Sequence, residues 1–291
     1  MQKGFLVHPE NTIAVLKKYN LSARKHYGQN FLVDERVLER IIKAAEISSD
    51  DYVLEIGPGI GTLTEALVQA AGKVCAVEID KTLIPVLSDI FAEYDNLEIR
   101  NEDILKTDIR RIAEEKNGGS PIKIVANLPY YITTPILMKL LESGAPIESI
   151  TVMVQLEVAD RMRSGPGSKN YGAISLAIRY YAEPELICRV PGNAFIPRPN
   201  VDSAVLKLSR RKVPPVDTRN PDAMFRLIRA AFNQRRKTLL NGISGSGLYS
   251  LSKEEIKEAI EEVGFLPAVR GETLSLEEFA RLSDILIRKE L

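Results

Sequence analysis

Three glycines alternate with other residues in the segment Gly57-Pro58-Gly59-Ile60-Gly61. Residues 53–56 before it are strand formers and a helix-like stretch begins at Thr62, so the glycines occupy a turn between a strand and a helix. Glycine adopts backbone angles that other residues reach only with strain, and it lets a ligand approach the chain closely. Backbone N–H groups at such a turn bind nucleotide-like ligands. The segment therefore predicts a nucleotide-binding loop.

An acid follows the next predicted strand, residues 74–77. Glu78 lies about twenty residues beyond Gly57, which is the spacing at which a carboxylate accepts hydrogen bonds from ribose hydroxyls. The glycine spacing GxGxG differs from the GxGxxG pattern of NAD and FAD sites. This combination favours S-adenosylmethionine as the cofactor. The alternative is a strand-to-helix turn that serves packing alone.

A second carboxylate, Asp103, comes just after the third predicted strand, residues 97–100. It could accept a hydrogen bond from the exocyclic amine of an adenine. Aspartate also caps turns and helices, because its side chain bonds to nearby backbone N–H groups. The residue type alone leaves these two interpretations equally open.

The fourth predicted strand, residues 122–126, ends in Asn127-Leu128-Pro129-Tyr130. A planar amine that is to be methylated must lose a proton and free its lone pair from conjugation with its ring. The side-chain oxygen of Asn127 and the carbonyl of Leu128 could accept its two N–H groups, with Pro129 fixing the backbone. Tyr130 could stack on an extruded base, which contributes about 1–3 kcal/mol. The alternative is a proline-stopped strand beside packed tyrosines.

Two further segments could complete a site at these strand ends. The polar and aromatic residues 23–34, which include Asn30, could contact a ligand, or Phe31 and Leu32 could simply pack beneath a helix that Asp34 caps. Phe195 stands just before a proline-rich stretch and could stack on the second face of a base. A place in the core is an equally good interpretation of Phe195.

Strands and helices alternate over the first part of the chain, which is typical of an α/β domain. Further strands are predicted at 150–155, 185–190 and 201–208, and helices at 12–19, 35–46, 82–94, 157–163 and 173–181. Two adjacent prolines mark residues 210–215 as a linker. We therefore predict a cofactor-binding domain at 1–209 and a helical C-terminal domain at 216–291.

Composition limits the class of protein. The 291 residues carry 39 basic and 39 acidic side chains, two cysteines and two histidines. So few cysteines and histidines support neither a disulfide framework nor a zinc site nor a histidine relay, and we expect no metal. No apolar stretch approaches the roughly 18 residues of a membrane helix. We therefore expect a cytoplasmic protein with no membrane partner.

Basic residues concentrate in one part of the C-terminal domain. Residues 222–240 hold five bases and one acid, whereas residues 253–279 hold eight glutamates and three bases. On a helical wheel from Met224 to Leu240 the bases other than Arg235 lie apart from the apolar side chains. Four of them form the predicted RNA-binding stripe: Arg226, Arg229, Arg236 and Lys237. A helix face that is merely solvated is an equally good interpretation.

The motifs taken together resemble the bacterial small-subunit (16S) rRNA adenine N6,N6-dimethyltransferase family, known as the KsgA family. The resemblance covers nearly the whole chain. It rests on residues 28–32 (GQNFL), 55–61 (EIGPGIG), 78–80 (EID), 102–103 (ED), 127–131 (NLPYY), 195–205 (FIPRPNVDSAV) and 272–275 (ETLS). The glycine loop alone is shared by many methyltransferases, but the set in this order is specific to this family.

The resemblance implies a Rossmann-like class I methyltransferase fold, with a seven-stranded, mostly parallel sheet and a small all-α C-terminal domain. The implied S-adenosylmethionine contacts are Asn30, Leu32, Gly57, Glu78, Asp103 and Asn127. The implied target-base residues are Asn127, Leu128, Pro129, Tyr130 and Phe195. The implied substrate is a pair of adjacent adenosines in a hairpin loop near the 3′ end of 16S rRNA, each methylated twice in an assembling small subunit.

Three alternatives remain open on the sequence. Similar enzymes methylate large-subunit rRNA, although they typically have a shorter C-terminal domain. The chain could instead act mainly as a ribosome-assembly factor that binds RNA, or it could methylate adenine in DNA. No obligate protein partner is inferred.

Overall fold

The computed structural model describes residues 5–24, 28–233 and 237–290. The chain divides into two compact units. The first unit consists of residues 1–159 together with 183–210. The second unit consists of residues 160–182 together with 211–291.

The first unit contains a seven-stranded sheet in the order β4-β3-β2-β5-β6-β9-β7. Neighbouring strands from β4 to β6 pair in parallel, and β9 pairs antiparallel with β6. The predicted seven-stranded, mostly parallel sheet is therefore confirmed. The strands are β1 (Phe31–Leu32), β2 (Tyr52–Ile56), β3 (Lys73–Glu78), β4 (Leu97–Asn101), β5 (Ile122–Asn127), β6 (Ile147–Gln155), β7 (Ala182–Val190), β8 (Phe195–Ile196) and β9 (Ser203–Arg210).

Helices precede, connect and follow the strands β2 to β6 along the chain. They are α1 (Pro9–Lys18), α2 (Glu35–Ala45), α3 (Thr62–Ala70), α4 (Ile84–Ile90), α5 (Ile109–Asn117), α6 (Thr133–Glu142) and α7 (Leu156–Arg163). Asp34 caps α2 as predicted, because its carboxylate accepts the backbone N–H groups of Arg36 and Val37. Helix α4 is shorter than the predicted 82–94, and Pro85 lies in its first turn, where a proline is favoured.

The register of the three central strands aligns their carboxyl ends. Strand β2 lies between β3 and β5, and all five of its residues are buried. Ile56 pairs with Val77 on one side and with Ala126 on the other. The residues that follow Ile56, Val77 and Ala126 are Gly57, Glu78 and Asn127, respectively. Pairing alone brings these three residues to one edge of the sheet.

A second, two-stranded sheet holds the segment that precedes α2. Strands β1 and β8 pair antiparallel, with Leu32 opposite Phe195. Phe31, Leu32 and Phe195 are all buried in the same hydrophobic core, as expected from apolar residues at the start of a capped helix. The short sheet anchors residues 31–32 through their backbones.

The second unit is built from helices. They are α8 (Ala173–Tyr181), α9 (Pro221–Asn233), α10 (Leu239–Ser244), α11 (Lys253–Glu262) and α12 (Leu276–Glu290). Residues 160–182, predicted to belong to the first domain, pack instead with this unit. Tyr180 and Tyr181 contact the ring of Phe225, and the buried Tyr171 hydroxyl donates to the carbonyl of Leu274. These aromatic contacts join residues distant in sequence, so local patterns did not reveal them.

The predicted continuous helix from Met224 to Leu240 is also corrected. Helix α9 runs from Pro221 to Asn233, and α10 begins at Leu239. Thr238 is the N-cap of α10, with an extended backbone and a hydroxyl that accepts the N–H of Asn241. Lys237 therefore precedes a separate helix, and Arg236 lies outside the described residues. No helix in the described ranges is long and apolar enough to cross a membrane.

Candidate active site

One cleft opens where β2, β3, β4 and β5 end. Its walls include all six residues predicted to contact the cofactor: Asn30, Leu32, Gly57, Glu78, Asp103 and Asn127. Leu128, Pro129 and Tyr130 line the same cleft. This is the edge at which open α/β sheets bind their ligands. The fold thus brings together residues as distant in sequence as Asn30 and Tyr130.

Two glycines of the loop serve different purposes. Gly57 has a φ of +69°, and a Cβ built on it would meet no other atom within 4 Å. A side chain there would project into the cleft, so the glycine keeps that space available for a ligand. Gly61 has a φ of +98°, and its Cβ would lie 2.4 Å from the ring of Phe91. Gly61 is therefore required for packing of the core.

Glu78 presents a nearly buried carboxylate to the cleft, with 5% of the residue exposed. Its Oε1 accepts the N–H of Asp80 at 2.8 Å, and its Oε2 accepts the N–H of Gly59 at 3.2 Å. Burial raises the pKa of Glu78, and the two backbone N–H groups oppose that rise. A carboxylate has about four acceptor positions, so Glu78 retains capacity for two hydroxyl groups.

The geometry of Asp103 is compatible with both of the roles that its sequence position left open. Its Oδ1 accepts the N–H of Leu105 at 3.0 Å, which is the capping role. The half-buried residue also lines the cleft. Within the described part of the chain no group donates to Oδ2. One carboxylate oxygen thus organises the turn and the other can accept a ligand amine.

The orientation of the Asn127 amide follows from its neighbour. Its Nδ2 donates to the backbone carbonyl of Asn30 at 3.0 Å. This bond identifies the nitrogen end and leaves Oδ1 as the acceptor for a ligand N–H. The N–H of Leu128 donates to the carbonyl of Met153, so the backbone after Asn127 is held by β6. The segment is therefore ready to accept hydrogen bonds without rearrangement.

Tyr130 is held at its hydroxyl end. Its oxygen lies 2.6 Å from Oγ of Ser203, the first residue of β9. Burial raises the pKa of this tyrosine, and the contact with Ser203 opposes the rise. The hydroxyl therefore stays protonated at neutral pH, and its hydrogen bond fixes the ring in the wall of the cleft. Ser203 belongs to a motif that carried the family resemblance, but the sequence gave this residue no role of its own.

Phe195 does not line this cleft. Only 3% of the residue is exposed, and it packs in the core that also contains Phe31 and Leu32. The structure thus favours the core interpretation over a direct contact with a base. Its position opposite Leu32 supports the wall of the cleft from behind. The apolar residue type could not distinguish these two roles.

The cleft also contains residues to which the sequence gave no individual role. Gln29 and Tyr131 line it, and Tyr131 is 60% exposed. Asp80 is 1% exposed and accepts a hydrogen bond from Gln29 in the cleft wall. Gln29 and Asp80 belong to motifs on which the family resemblance rests. That resemblance was the sign in the sequence that these two residues have a function. Their functions depend on contacts between those motifs, and no single motif reveals them.

A buried acid stands beside the glycine loop. Glu55 in β2 is fully buried, and its Oε2 accepts the hydroxyl of Thr64 at 2.6 Å. Its Oε1 has no hydrogen-bond partner among the residues that the structure describes. Burial raises the pKa of Glu55 to about 8, although the bond from Thr64 opposes the rise. The side chain is therefore mainly protonated at neutral pH.

This burial predicts a pH dependence of stability. The ordinary pKa of the Glu55 carboxyl is 4.5, so between pH 4.5 and about 8 the unfolded chain loses a proton that the folded chain retains. The free energy of unfolding therefore falls as pH rises through this range. Glu55→Gln removes the titration and should gain on the order of 3 kcal/mol relative to wild type between pH 5 and 8. Urea unfolding at both pH values measures this difference. Parallel pH curves for the two proteins would contradict it.

These groups fit S-adenosylmethionine. The open space at Gly57 admits a ligand against the backbone, and the spare acceptors of Glu78 suit ribose hydroxyls. Oδ2 of Asp103 suits the exocyclic amine of the cofactor's adenine. Each of these groups matches an adenosine at least as well as it matches a nicotinamide ring. The residues at the strand ends thus form one site whose free acceptors match the hydroxyl and amine donors of an adenosine.

Comparisons with known proteins agree with this geometry. Residues 20–288 match the family model described as ribosomal RNA adenine dimethylase. A relative from Lachnoclostridium phytofermentans, named ribosomal RNA small subunit methyltransferase A, is 59% identical over 287 residues. That match covers 98% of this chain and 99% of the relative.

Two solved structures are also similar. A dimethyladenosine transferase from Plasmodium falciparum has a TM-score of 0.68 and 27% identity, covering 86% of this chain and 95% of that one. The 23S rRNA methyltransferase ErmE has a TM-score of 0.64 and 27% identity, covering 89% of this chain and 100% of that one. Fold, cleft and family model all agree. The chain therefore belongs to the ribosomal RNA adenine dimethylase family and is an S-adenosylmethionine-dependent rRNA adenine dimethyltransferase.

Proposed function

We propose that this chain dimethylates two adjacent adenosines in a hairpin loop near the 3′ end of 16S rRNA, within the assembling small ribosomal subunit in the cytoplasm. The observation that carries the proposal is the convergence of Glu78, Asp103 and Asn127 on one cleft. The relative that is 59% identical carries the name of a small-subunit enzyme and matches this chain over almost its full length. Methylation at this stage gives the protein a role in subunit biogenesis.

The cofactor would be held by residues from four segments, with Asn127 from a fifth standing between the cofactor and the target base. Glu78 would accept the ribose hydroxyls, and Asp103 would accept the exocyclic amine of the cofactor's adenine. Gly57 provides the open backbone, while Asn30 and Leu32 close the near wall. Bound S-adenosylmethionine supplies an activated methyl group on a sulfonium sulfur. Since the leaving group is already activated, the protein needs no nucleophilic side chain.

The target amine would be oriented by two oxygens. Oδ1 of Asn127 and the carbonyl of Leu128 would each accept one N–H of the adenine N6 amine. These bonds draw the nitrogen towards tetrahedral geometry and direct its lone pair at the incoming methyl group. Pro129 holds the backbone that presents the carbonyl. Catalysis then comes from orientation and from hydrogen bonds that strengthen as the amine loses its planarity.

The adenine itself would stack on Tyr130. Extruding a base from an RNA loop costs a few kcal/mol, and stacking on an aromatic ring returns about 1–3 kcal/mol. The bond between Tyr130 and Ser203 fixes the ring before the base arrives. A fixed ring loses little conformational entropy on binding. Phe195 supports this cleft from the core and does not form a second stacking surface.

One set of incubations tests the proposal. Purified protein and labelled cofactor are combined in parallel with immature small subunits, naked 16S rRNA, large-subunit rRNA and adenine-containing DNA. We expect dimethyladenosine mainly in the immature small subunits. Preferred labelling of large-subunit rRNA or DNA would overturn the proposed substrate. Tight RNA binding without any methyl transfer would instead support the assembly-factor alternative.

A basic surface on the second unit would contact RNA phosphates. Arg226 and Arg229 are exposed on α9, and Lys237 is exposed before α10. Arg236 remains part of the proposed surface but lies outside the described residues. Each phosphate contact releases bound counterions from RNA, which makes affinity depend on salt.

Removal of one such contact gives a measurable prediction. Arg226→Ala should weaken RNA binding and reduce the slope of log affinity against log salt by about one unit. Filter binding at several salt concentrations measures the slope. Arg281→Ala removes an exposed arginine from α12 and serves as the matched control, with an unchanged slope expected. Equal slopes for all three proteins would assign Arg226 to a solvated helix face.

A further inference from the structure

We propose that Gln29 is a positioning residue that acts through the backbone of Asn30 on the amide of Asn127, with Asp80 as its anchor. The inference rests on the proposed methyl transfer to an adenine amine. It extends that proposal by assigning a function to a bond between two motifs that do not touch the amine.

The anchor is a buried carboxylate directly after the ribose-binding acid. Asp80 is 1% exposed, and its Oδ2 accepts Nε2 of Gln29 at 3.1 Å. Its Oδ1 accepts the hydroxyl of Thr82 at 2.7 Å and a guanidinium nitrogen of Arg24 at 3.3 Å. So many donors fix the carboxylate rigidly. The Gln29 side chain is therefore hydrogen-bonded to a carboxylate that cannot move unless several other hydrogen bonds break.

The amide of Gln29 is engaged at both ends. Its Oε1 accepts the N–H of Arg24 at 2.9 Å while its nitrogen donates to Asp80. The next residue, Asn30, offers the carbonyl that accepts Nδ2 of Asn127 at 3.0 Å. The Asn30 side chain donates to the carbonyl of Gly28 at 3.1 Å, which closes the turn. A continuous path of short contacts thus joins Asp80 to Asn127.

The chemistry of the amine explains why this path matters. Asn127 can accept an N–H of the target amine only with Oδ1, whereas its nitrogen would oppose that amine with another donor. The Asn30 carbonyl selects the productive orientation because it accepts from the nitrogen end. If this carbonyl shifts, the two orientations of the amide become closer in energy. Gln29 therefore controls the fraction of Asn127 side chains that are ready for catalysis.

The same anchor reaches the cofactor end of the cleft. The backbone N–H of Asp80 donates to Oε1 of Glu78 at 2.8 Å. Asp80 thus bonds to the proposed ribose-binding acid through its backbone and, through its side chain, to Gln29, whose neighbour Asn30 holds Asn127. The strand pairing of Leu32 with Phe195 already holds residues 31–32, so Gln29 is not needed to keep that part of the wall in place.

A reversed hydrogen bond tests the pair. Gln29→Glu places a second carboxylate against Asp80 and should lower kcat by about tenfold or more, because small displacements are costly in catalysis. Asp80→Asn alone should also lower kcat. The double variant restores a donor opposite an acceptor with the direction reversed, and kcat should recover to within about threefold of wild type. Gln69→Glu makes the same change on the exposed face of α3 and should have no effect. Failure of the double variant to recover, while it remains folded, would overturn the pairing.

A mutant cycle with Asn127 separates positioning from a general structural role. If Gln29 acts through Asn127, Gln29→Ala should lower kcat in the wild type and cause little further loss in Asn127→Ala. Independent, multiplicative losses would overturn the inference. If the wild-type protein methylates none of the RNA substrates, the proposed function itself is refuted. Calorimetry with the cofactor shows that each variant is folded.

Discussion

Asn127→Ala should lower kcat for methyl transfer by about 100-fold or more, the size of effect seen when one preorganised transition-state hydrogen bond is removed. The lost acceptor is Oδ1, because Nδ2 is already bonded to the carbonyl of Asn30. Affinity for S-adenosylmethionine should stay within a few-fold, since the ribose and adenine contacts remain. Single-turnover methylation measures the rate, and calorimetry measures cofactor binding on the same preparation.

Asn96→Ala is the matched control for this variant. The Asn96 amide donates to the carbonyls of Val68 and Ala71, so its removal also breaks hydrogen bonds of a partly buried asparagine. It does not line the cleft, and we expect lower stability with an unchanged rate. Wild-type turnover by Asn127→Ala would refute the role of Oδ1. A large loss of cofactor affinity would show that Asn127 acts mainly in binding.

Glu78→Gln should weaken S-adenosylmethionine binding by about 100-fold or more, because two charge-assisted hydrogen bonds of roughly 1.5–3 kcal/mol each are lost or reversed. Both carboxylate oxygens already accept backbone N–H groups, from Asp80 and Gly59. An amide must therefore turn its NH2 group towards one of these donors. Titration calorimetry with the cofactor measures the loss.

Glu65→Gln supplies the control. Glu65 is 1% exposed and accepts the backbone N–H groups of Phe5 and Leu6 at 3.0 and 2.9 Å, the same bonding pattern as in Glu78. It does not line the cleft. Its replacement should lower the free energy of unfolding but change cofactor affinity by less than a few-fold. Equal losses of affinity in the two variants would mean that Glu78 supports the fold and does not bind ribose.

Several features of this site are readable from local sequence. The alternation of strands and helices predicts the parallel sheet, and the glycines at positions 57, 59 and 61 predict the turn after β2. Glu78 and Asn127 each follow a predicted strand directly, and parallel pairing brings such positions to one edge. The N-cap at Asp34 is equally local, because its partners are two and three residues away.

Other features depended on contacts between distant residues. Phe195 pairs with Leu32, and the aromatic residues of 171–181 pack against other helices of the second unit. Thr238 caps a new helix within a stretch that has helical periodicity throughout. Residue type did not distinguish a buried phenylalanine from a stacking one. The two cases differ in what covers the phenylalanine ring, which is either other core side chains or a bound base.

The sequence by itself determined the fold class, the glycine loop and side chains that line the cleft, because those properties follow from periodicity, glycine positions and strand ends. Only the tertiary structure decided which end of the Asn127 amide is bonded to the backbone and which end stays available as an acceptor in the cleft. That choice depends on the carbonyl of Asn30, which lies 97 positions away in the chain and 3.0 Å away in space. A hydrogen bond across such a separation has a direction that local residue patterns do not encode.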